Sequence, residues 1–373
     1  MRVLVVDTYY SAFWRSHYAA RPGLAERSYR EQLDSLMNRR FGTSDAYSHH
    51  LIELGHQAQE VVCNCVPLQV AWAREHGVAP LGRLAARLSA RDLRVARPML
   101  EQTLLGQVED VDPDVVYLQD LAALWPRVRR KLRESRRLLV AQIASTAPPD
   151  EVLRDCDLVI TSFPHWVDRL RARGIDTEYM PLAFDERIAD EVDEGPERPY
   201  PVTFVGTLLP TDYGAGAQEA LEAACARLDV TVYGLGGERL ASSSPIRRDY
   251  RGEAWGRDMY RVLGRSRVTL NRHNDLAEGN ANNMRLFEAT GMGAVLVTEA
   301  APNLPDLFVP GEEVVGYSDP TDLVTRVARL LEDDAERKRI AEAGQRRTLA
   351  DHTYAKRMPD LVELLEARLA KRR

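Results

Sequence analysis

Short, almost wholly apolar runs recur along the chain, separated by longer stretches whose apolar residues return every three or four positions. Arg2–Asp7 (RVLVVD) is the first such run and predicts a central parallel strand. Others follow at Glu60–Cys65, Val115–Gln119, Leu138–Ala144 and Leu158–Thr161. Between them lie helical patterns at Leu24–Arg40, at Ser44–Leu54 with Thr43 or Ser44 as the cap, and through residues 82–106. This alternation predicts an α/β fold with a parallel sheet covered on both faces, whose ligand crevice lies at the carboxyl ends of the strands. Asp7, Asp120 and the Ser145–Thr146 turn fall at such ends.

The acidic, Pro-containing run Asp185–Pro201 reads as an interdomain linker, and a second alternating series begins behind it. Its strands are expected at Val202–Val205, Val230–Tyr233, Val268–Asn271, Ala294–Thr298 and Val314–Tyr317. Its helices are expected at Gln218–Arg227, Asp258–Gly264, Asn283–Gly291 and Asp322–Leu331. Residues 335–372 are nearly all helical and amphipathic, so they are expected to pack back over both domains. The pattern therefore divides into residues 1–185, residues 200–354, and a C-terminal helix at about 355–373 that returns to the first domain.

The stretch Asn271–Glu299 (NRHNDLAEGNANNMRLFEATGMGAVLVTE) carries the densest candidate chemistry. A polar loop there feeds a helix, and a helix start presents unpaired N–H groups and a positive dipole end that suit a phosphate. Glu288, about a turn and a half into that helix, could accept hydrogen bonds from a ribose diol. The plainer alternative is that Glu288 faces water and favours the helix dipole. Gly206 ends a strand, where a small residue lets backbone approach a ligand. The first strand is followed by Thr8-Tyr9-Tyr10-Ser11-Ala12-Phe13-Trp14 rather than glycines, which excludes a glycine-rich dinucleotide turn. These aromatics line a cleft for something flat or sugar-like, or pack beneath a loop.

Composition changes this picture little. Hydrophobic content of 45%, charged content of 28% and a net charge of −6 describe an ordinary globular chain, and no basic excess points to nucleic acid. The basic run Arg127–Arg137 reads as the solvated face of a surface helix, with a peripheral membrane contact as the alternative. Cys63 and Cys65 alternate along the expected strand and read as reduced core residues, consistent with a cytoplasmic protein. No apolar run is long enough to span a bilayer.

With two βαβ domains, the acidic linker and the Asn271–Glu299 stretch in place, the chain resembles the GT-B glycosyltransferases, and most of all their CgeB-like branch within the group-1 type. The resemblance rests on NNMRLFEATGMGAVLVTE, LFVPGEEVVGYSDPTDLVTRVARLL and AEAGQRRTLADHTYAKR, continuous from Asn271. It implies two Rossmann-like domains: an N-terminal one for the acceptor and a C-terminal one for a nucleotide-sugar donor. It also implies a hexosyltransferase-type reaction in the cleft, retaining and independent of metal, with no cofactor beyond the donor. The acceptor would be a small molecule, a glycan or a peptide. In such relatives the glutamate matching Glu288 binds ribose, and backbone at Gly206-Thr207 lies near the diphosphate. The relatives' first glutamate of Glu-x7-Glu is Asn280 here, with Glu278 as the other candidate. Their diphosphate cations are missing after the first C-domain strand, which leaves Arg272, His273 and Arg285 as substitutes beside Asn282 and Asn283. For a general base the crevice offers Asp120, then His49 or His50. The rival readings are an NDP-sugar epimerase of the same shape and a non-catalytic sugar- or nucleotide-binding protein.

Overall fold

The computed structural model describes residues 1–78, 93–121, 125–192, 195, 197–208 and 215–372. The chain forms two compact units. Met1–Met180 together with Met358–Arg373 make the first, and Pro181–Arg357 make the second.

In the first unit six strands form one parallel sheet. They are β1 (Arg2–Asp7), β2 (Gln57–Val62), β3 (Val115–Leu118), β4 (Leu138–Ile143), β5 (Leu158–Thr161) and β6 (Thr177–Tyr179), in the order β2-β1-β3-β4-β5-β6. The register runs Val3↔Val115 and Val115↔Leu138, which aligns β1, β3 and β4 as a largely apolar centre. Leu4, Val6, Val116, Leu118, Leu139 and Ala141 pack there beneath the helices. Because the chain steps from β1 out to β2 and then back past β1 to β3, the order reverses between β1 and β3. The carboxyl ends of those two strands, Asp7 and the Gln119–Asp120 segment, flank the resulting crevice.

The second unit repeats the plan. Its strands are β7 (Tyr200–Val205), β8 (Val230–Tyr233), β9 (Ser266–Leu270), β10 (Val295–Glu299) and β11 (Val315–Tyr317), in the order β11-β10-β9-β7-β8. Here the reversal lies between β7 and β9, so Gly206-Thr207 and Asn271-Arg272 flank it. The helices Ala215–Arg227 and Pro320–Glu332 pack against each other. The short helix Arg285–Gly291 packs against Asp334–Asp351.

Several expectations shift. The long helical pattern through 82–106 is met by a helix at Leu93–Val111, and its earlier part falls outside the described residues. Strand β2 ends at Val62, and Cys65 caps the helix Val66–Glu75, so the two cysteines do not alternate along a strand, though both are buried free thiols. The turn is made instead by Asn64, whose side chain bonds both the N–H and the carbonyl of Tyr9 at 2.9 Å. Neither Thr43 nor Ser44 caps the helix Ala46–Glu53: Asp45 precedes it, Ser44 donates to the Met37 carbonyl, and Thr43 donates to Gln119. The strand β6 was not anticipated, because its sequence Thr177–Tyr179 is neither apolar nor alternating. The acidic run is not wholly a linker. Arg187–Glu191 is helical and Ile188 and Val192 lie in the second unit's core. The C-terminal helical stretch breaks at His352–Thr353, giving one helix to the second unit and Tyr354–Arg372 largely to the first. No helix among the described residues is long and apolar enough to cross a membrane.

Candidate active site

In the second unit β7 and β8 stay paired beyond their formal ends: Gly206 N–H donates to the Tyr233 carbonyl (3.1 Å) and Leu208 N–H to that of Leu235 (2.8 Å). That pairing brings Gly234 against the Gly206 carbonyl, where a Cβ would lie 1.7 Å from the oxygen. Across the crevice, the Arg272 guanidinium donates to the Thr207 carbonyl at 2.6 Å and lies over the Phe204 ring. The structure thus brings Gly206, Thr207 and Arg272 together at the strand-order reversal. Residues 209–214, which follow, are outside the described set.

The loop from Asn271 to Met284 is held by its asparagines. Asn283 Nδ2 donates to Asn271 Oδ1 (2.9 Å) and to the Arg272 carbonyl (2.8 Å), while its Oδ1 accepts from Leu286 N–H at the helix start. Asn280 turns its amide onto the Ala277 carbonyl, and Glu278 is exposed with φ of 47°. Asn282 is buried, and its Nδ2 has no hydrogen-bond partner among the described residues.

His273 sits deeper. Its Nδ1 accepts from Asn282 N–H (3.4 Å), which leaves Nε2–H to donate to Thr298 Oγ1 (3.1 Å). Burial holds this imidazole down at about 4, so it is neutral at physiological pH and is not the diphosphate cation expected of it. Its backbone N–H donates to Glu299 at 2.6 Å.

Glu288 is 5% exposed. Its Oε1 accepts from the Tyr260 hydroxyl (3.1 Å), and its Oε2 pairs with Arg285 at 2.9 Å. The water-facing alternative is therefore wrong, but so is the picture of an open carboxylate. Arg285 is likewise engaged, by Glu288 and by the Met259 sulfur. Tyr260 was invisible as a partner because it lies on a different helix, 28 residues away.

A recess of about 610 Å³ opens beside this arrangement at the carboxyl ends of β9, β10 and β11. Its walls include His273, Asp275, Glu299, Tyr317 and Asp319. Glu299 was not singled out as a site residue, although ending an apolar parallel strand is itself the signal. Burial raises its carboxyl above the usual range, and the His273 N–H only partly offsets this.

In the first unit Thr8 links the two strand ends. Its N–H donates to Asp7 Oδ1 (2.7 Å) and its hydroxyl to Asp120. Burial pushes Asp7 up to about 7; the Thr8 N–H works against that, and the neighbouring Asp120 charge adds to it. His49 and His50 do not share those contacts: each approaches Glu53 on its own helix, at 3.4 and 2.9 Å. These side chains also form a cluster that bears on the expected independence of metal. The ligating atoms of His49, His50 and Glu53 lie within 4.8 Å of one another. Of the aromatic turn, Tyr9, Phe13 and Trp14 are buried and Phe13 stacks on Phe41, so packing accounts for most of it; Tyr10 alone stands exposed.

Residues 215–363 match the sequence profile of the family described as Glycosyl transferase-like. The whole chain superposes on a sucrose-phosphate synthase from Thermosynechococcus elongatus, with TM-score 0.58, 14% identity, and 98% and 100% of the two chains covered. It also superposes on HepE of Anabaena in complex with UDP-glucose, with TM-score 0.62, 15% identity and the same coverage. The chain has the GT-B fold. A third GT-B relative, AviGT4, a glycosyltransferase involved in avilamycin A biosynthesis, gives TM-score 0.54 at 15% identity over 100% and 98% of the chains. No curated protein matches at the level of sequence.

Proposed function

We propose that this GT-B protein is a glycosyltransferase of the CgeB-like branch that takes a hexosyl group from a nucleotide-sugar, a UDP-sugar first among them, and passes it to an acceptor. The observation that carries the reading is the pair of strand-order reversals, each furnished with polar groups at the carboxyl ends. The second unit would hold the donor. Its diphosphate would lie at Gly206-Thr207 near Arg272, and Asn282 would supply an uncommitted amide. The neighbouring recess has three carboxylates, Asp275, Glu299 and Asp319, which repel phosphate but accept hydrogen bonds from sugar hydroxyls. It therefore suits the sugar. Glu288 would take the ribose through whichever oxygen lone pairs Tyr260 and Arg285 leave available.

The first unit would serve the acceptor, with the Asp7–Thr8–Asp120 group as its proton-handling site. A carboxyl held near 7 is matched to that work at neutral pH. Backbone amides and Arg272 would stabilise the leaving diphosphate without a metal, and transfer would retain configuration.

The deciding experiment offers a panel of UDP-, GDP-, dTDP- and CDP-sugars to the protein, follows stabilisation on heating, and then assays transfer to mixed acceptors with EDTA present. Stabilisation by one nucleotide class followed by acceptor-dependent release of nucleoside diphosphate supports the reading. Conversion of the donor to an epimer without acceptor replaces it. Activity lost to EDTA and restored by a divalent cation removes the metal-independent part and turns attention to His49, His50 and Glu53.

A further inference from the structure

At the opposite edge of the second sheet, where its parallel strands begin, four cationic side chains converge. Arg198 precedes β7, Arg267 lies at the start of β9, and Arg337 and Lys338 lie in the first turns of the helix Asp334–Asp351. With Gly293, Asp334 and Ala341 they line a recess of about 250 Å³.

The cations are held in place rather than loosely clustered. Arg198 donates to the Ser266 carbonyl (3.0 Å) and to the Met292 carbonyl (3.1 Å). Arg267 donates through Nε to the Arg198 carbonyl at 3.0 Å, which leaves both terminal nitrogens unbonded among the described residues. Arg337 is buried, donates to the Leu330 carbonyl at 2.9 Å, and pairs with Asp334. Lys338 has no hydrogen bond or ion pair among the described residues, although it stands near enough to Asp334 to lower that carboxyl. Asp334 is thus the one carboxylate in the lining against four cations. Gly293, at φ +72°, keeps the space open, since a Cβ there would lie 2.8 Å from an Arg198 nitrogen.

We propose that this recess binds a compact, multiply charged oxyanion of the phosphate class. Guanidinium groups fixed by backbone carbonyls present their remaining N–H donors without further loss of freedom, and charge-assisted bonds to phosphate are the strong kind. The lining offers no aromatic or broad apolar surface for a nucleobase, so the site takes the phosphate group and not a nucleoside. It does not depend on the glycosyltransferase reading, since no residue lining the recess is among that reading's candidates.

The test is calorimetric titration of the full chain with inorganic phosphate, alone and with UDP present, against the Arg267→Ala, Lys338→Ala double variant. Both replaced side chains are exposed, so the variant should fold as the parent does. Expected is saturable phosphate binding that persists with UDP and weakens at least tenfold in the variant and in high salt. A parallel titration with glycerol phosphate separates a terminal phosphate group, bound as well as the free ion, from the free ion bound alone; either outcome places the anion here. Absence of saturable binding at tens of millimolar phosphate, equal binding by parent and variant, or loss of binding on adding UDP overturns the proposal. If UDP itself fails to bind, the donor-site reading fails while the phosphate result stands on its own.

Discussion

Glu288 shows how far a sequence can take a single residue. Its place in a helix after a polar loop is plain from the chain, whereas its two partners are not. Arg285 is one turn away and could have been foreseen; Tyr260 arrives only through packing of the helix Arg257–Gly264. Because the carboxylate is buried, Glu288→Gln leaves the mostly buried Arg285 without its counter-charge. It should therefore cost roughly 1.5–3 kcal/mol of stability, the range for a charge-assisted hydrogen bond. If ribose also binds there, affinity for a nucleoside diphosphate falls by about one to two powers of ten by the same energetics. Denaturant unfolding and calorimetry on the variant measure the two effects separately. A destabilised protein with unchanged nucleotide affinity would make Glu288 a packing residue and move the ribose elsewhere. The asparagines behave in the opposite way: Asn280, Asn282 and Asn283 were conspicuous in the sequence as a group, and the structure separates them, with Asn280 closing a local turn, the Asn282 Nδ2 left without a partner among the described residues, and Asn283 tying strand, loop and helix together.

Among the elements, the fully buried parallel strands were legible almost to the residue, because burial on both faces leaves an uninterrupted apolar run, whereas β2, whose first half is polar, lies three residues earlier than expected. Leu158–Thr161 and Val230–Tyr233 fall where the pattern puts them. Edges and turns were not legible. The polar edge strand β6 and the loops about Ser44 and Asn64 depend on partners far away in sequence. The same dependence makes Gly234 decisive. Its missing side chain lets β8 run on beside Gly206. Gly234→Ala should push the Gly206-Thr207 backbone away and cost about 1–3 kcal/mol, as overpacking does. Nucleotide binding should weaken more than the loss of stability alone would explain. Thermal unfolding with and without nucleoside diphosphate tests this: an unchanged ligand-induced shift would detach this backbone from the donor site. The helix Arg285–Gly291 is fastened on its far side by the Thr290–Thr348 hydroxyl pair at 2.6 Å and by Gln345 on the Gly291 carbonyl. Thr348→Val should cost about 1 kcal/mol through the lost buried hydrogen bond, read from the urea midpoint at unchanged slope.

For the molecule as a whole, the two units carry opposite acid responses. In the second, burial holds His273 and His352 at about 4. Between the ordinary histidine value and that point the unfolded chain binds protons the folded unit refuses, so stability falls as pH falls through the window. The raised carboxyl of Glu299 offsets part of this. In the first unit Asp7 is held at about 7 and Glu60 at about 8, chiefly by burial. There the folded state keeps protons that the unfolded chain has released, so stability rises as pH falls from about 8 towards 4, against the opposing effect of His17. Acidification from neutrality to about pH 5 should therefore loosen the second unit before the first. Pulse proteolysis with the fragments mapped by mass reads the order directly. Earlier cleavage within the first unit would mean that the buried carboxylates do not act as their surroundings imply.

One backbone contact bears on how such a chain can be taken apart. Phe184 and Thr353 pair as a parallel bridge, Phe184 N–H to the His352 carbonyl at 2.9 Å and Tyr354 N–H to the Phe184 carbonyl at 3.0 Å. The two places where the chain enters and leaves the second unit are thus neighbours in space, so residues 181–357 behave topologically as a cassette spliced into one site of the first unit. A cassette with adjoining ends can be lifted out and carried to another host without stretching either partner, which is how domain insertion succeeds. Recombination at this one seam would exchange the second unit as a whole between chains of the same fold, and leave the first unit's sequence as it was.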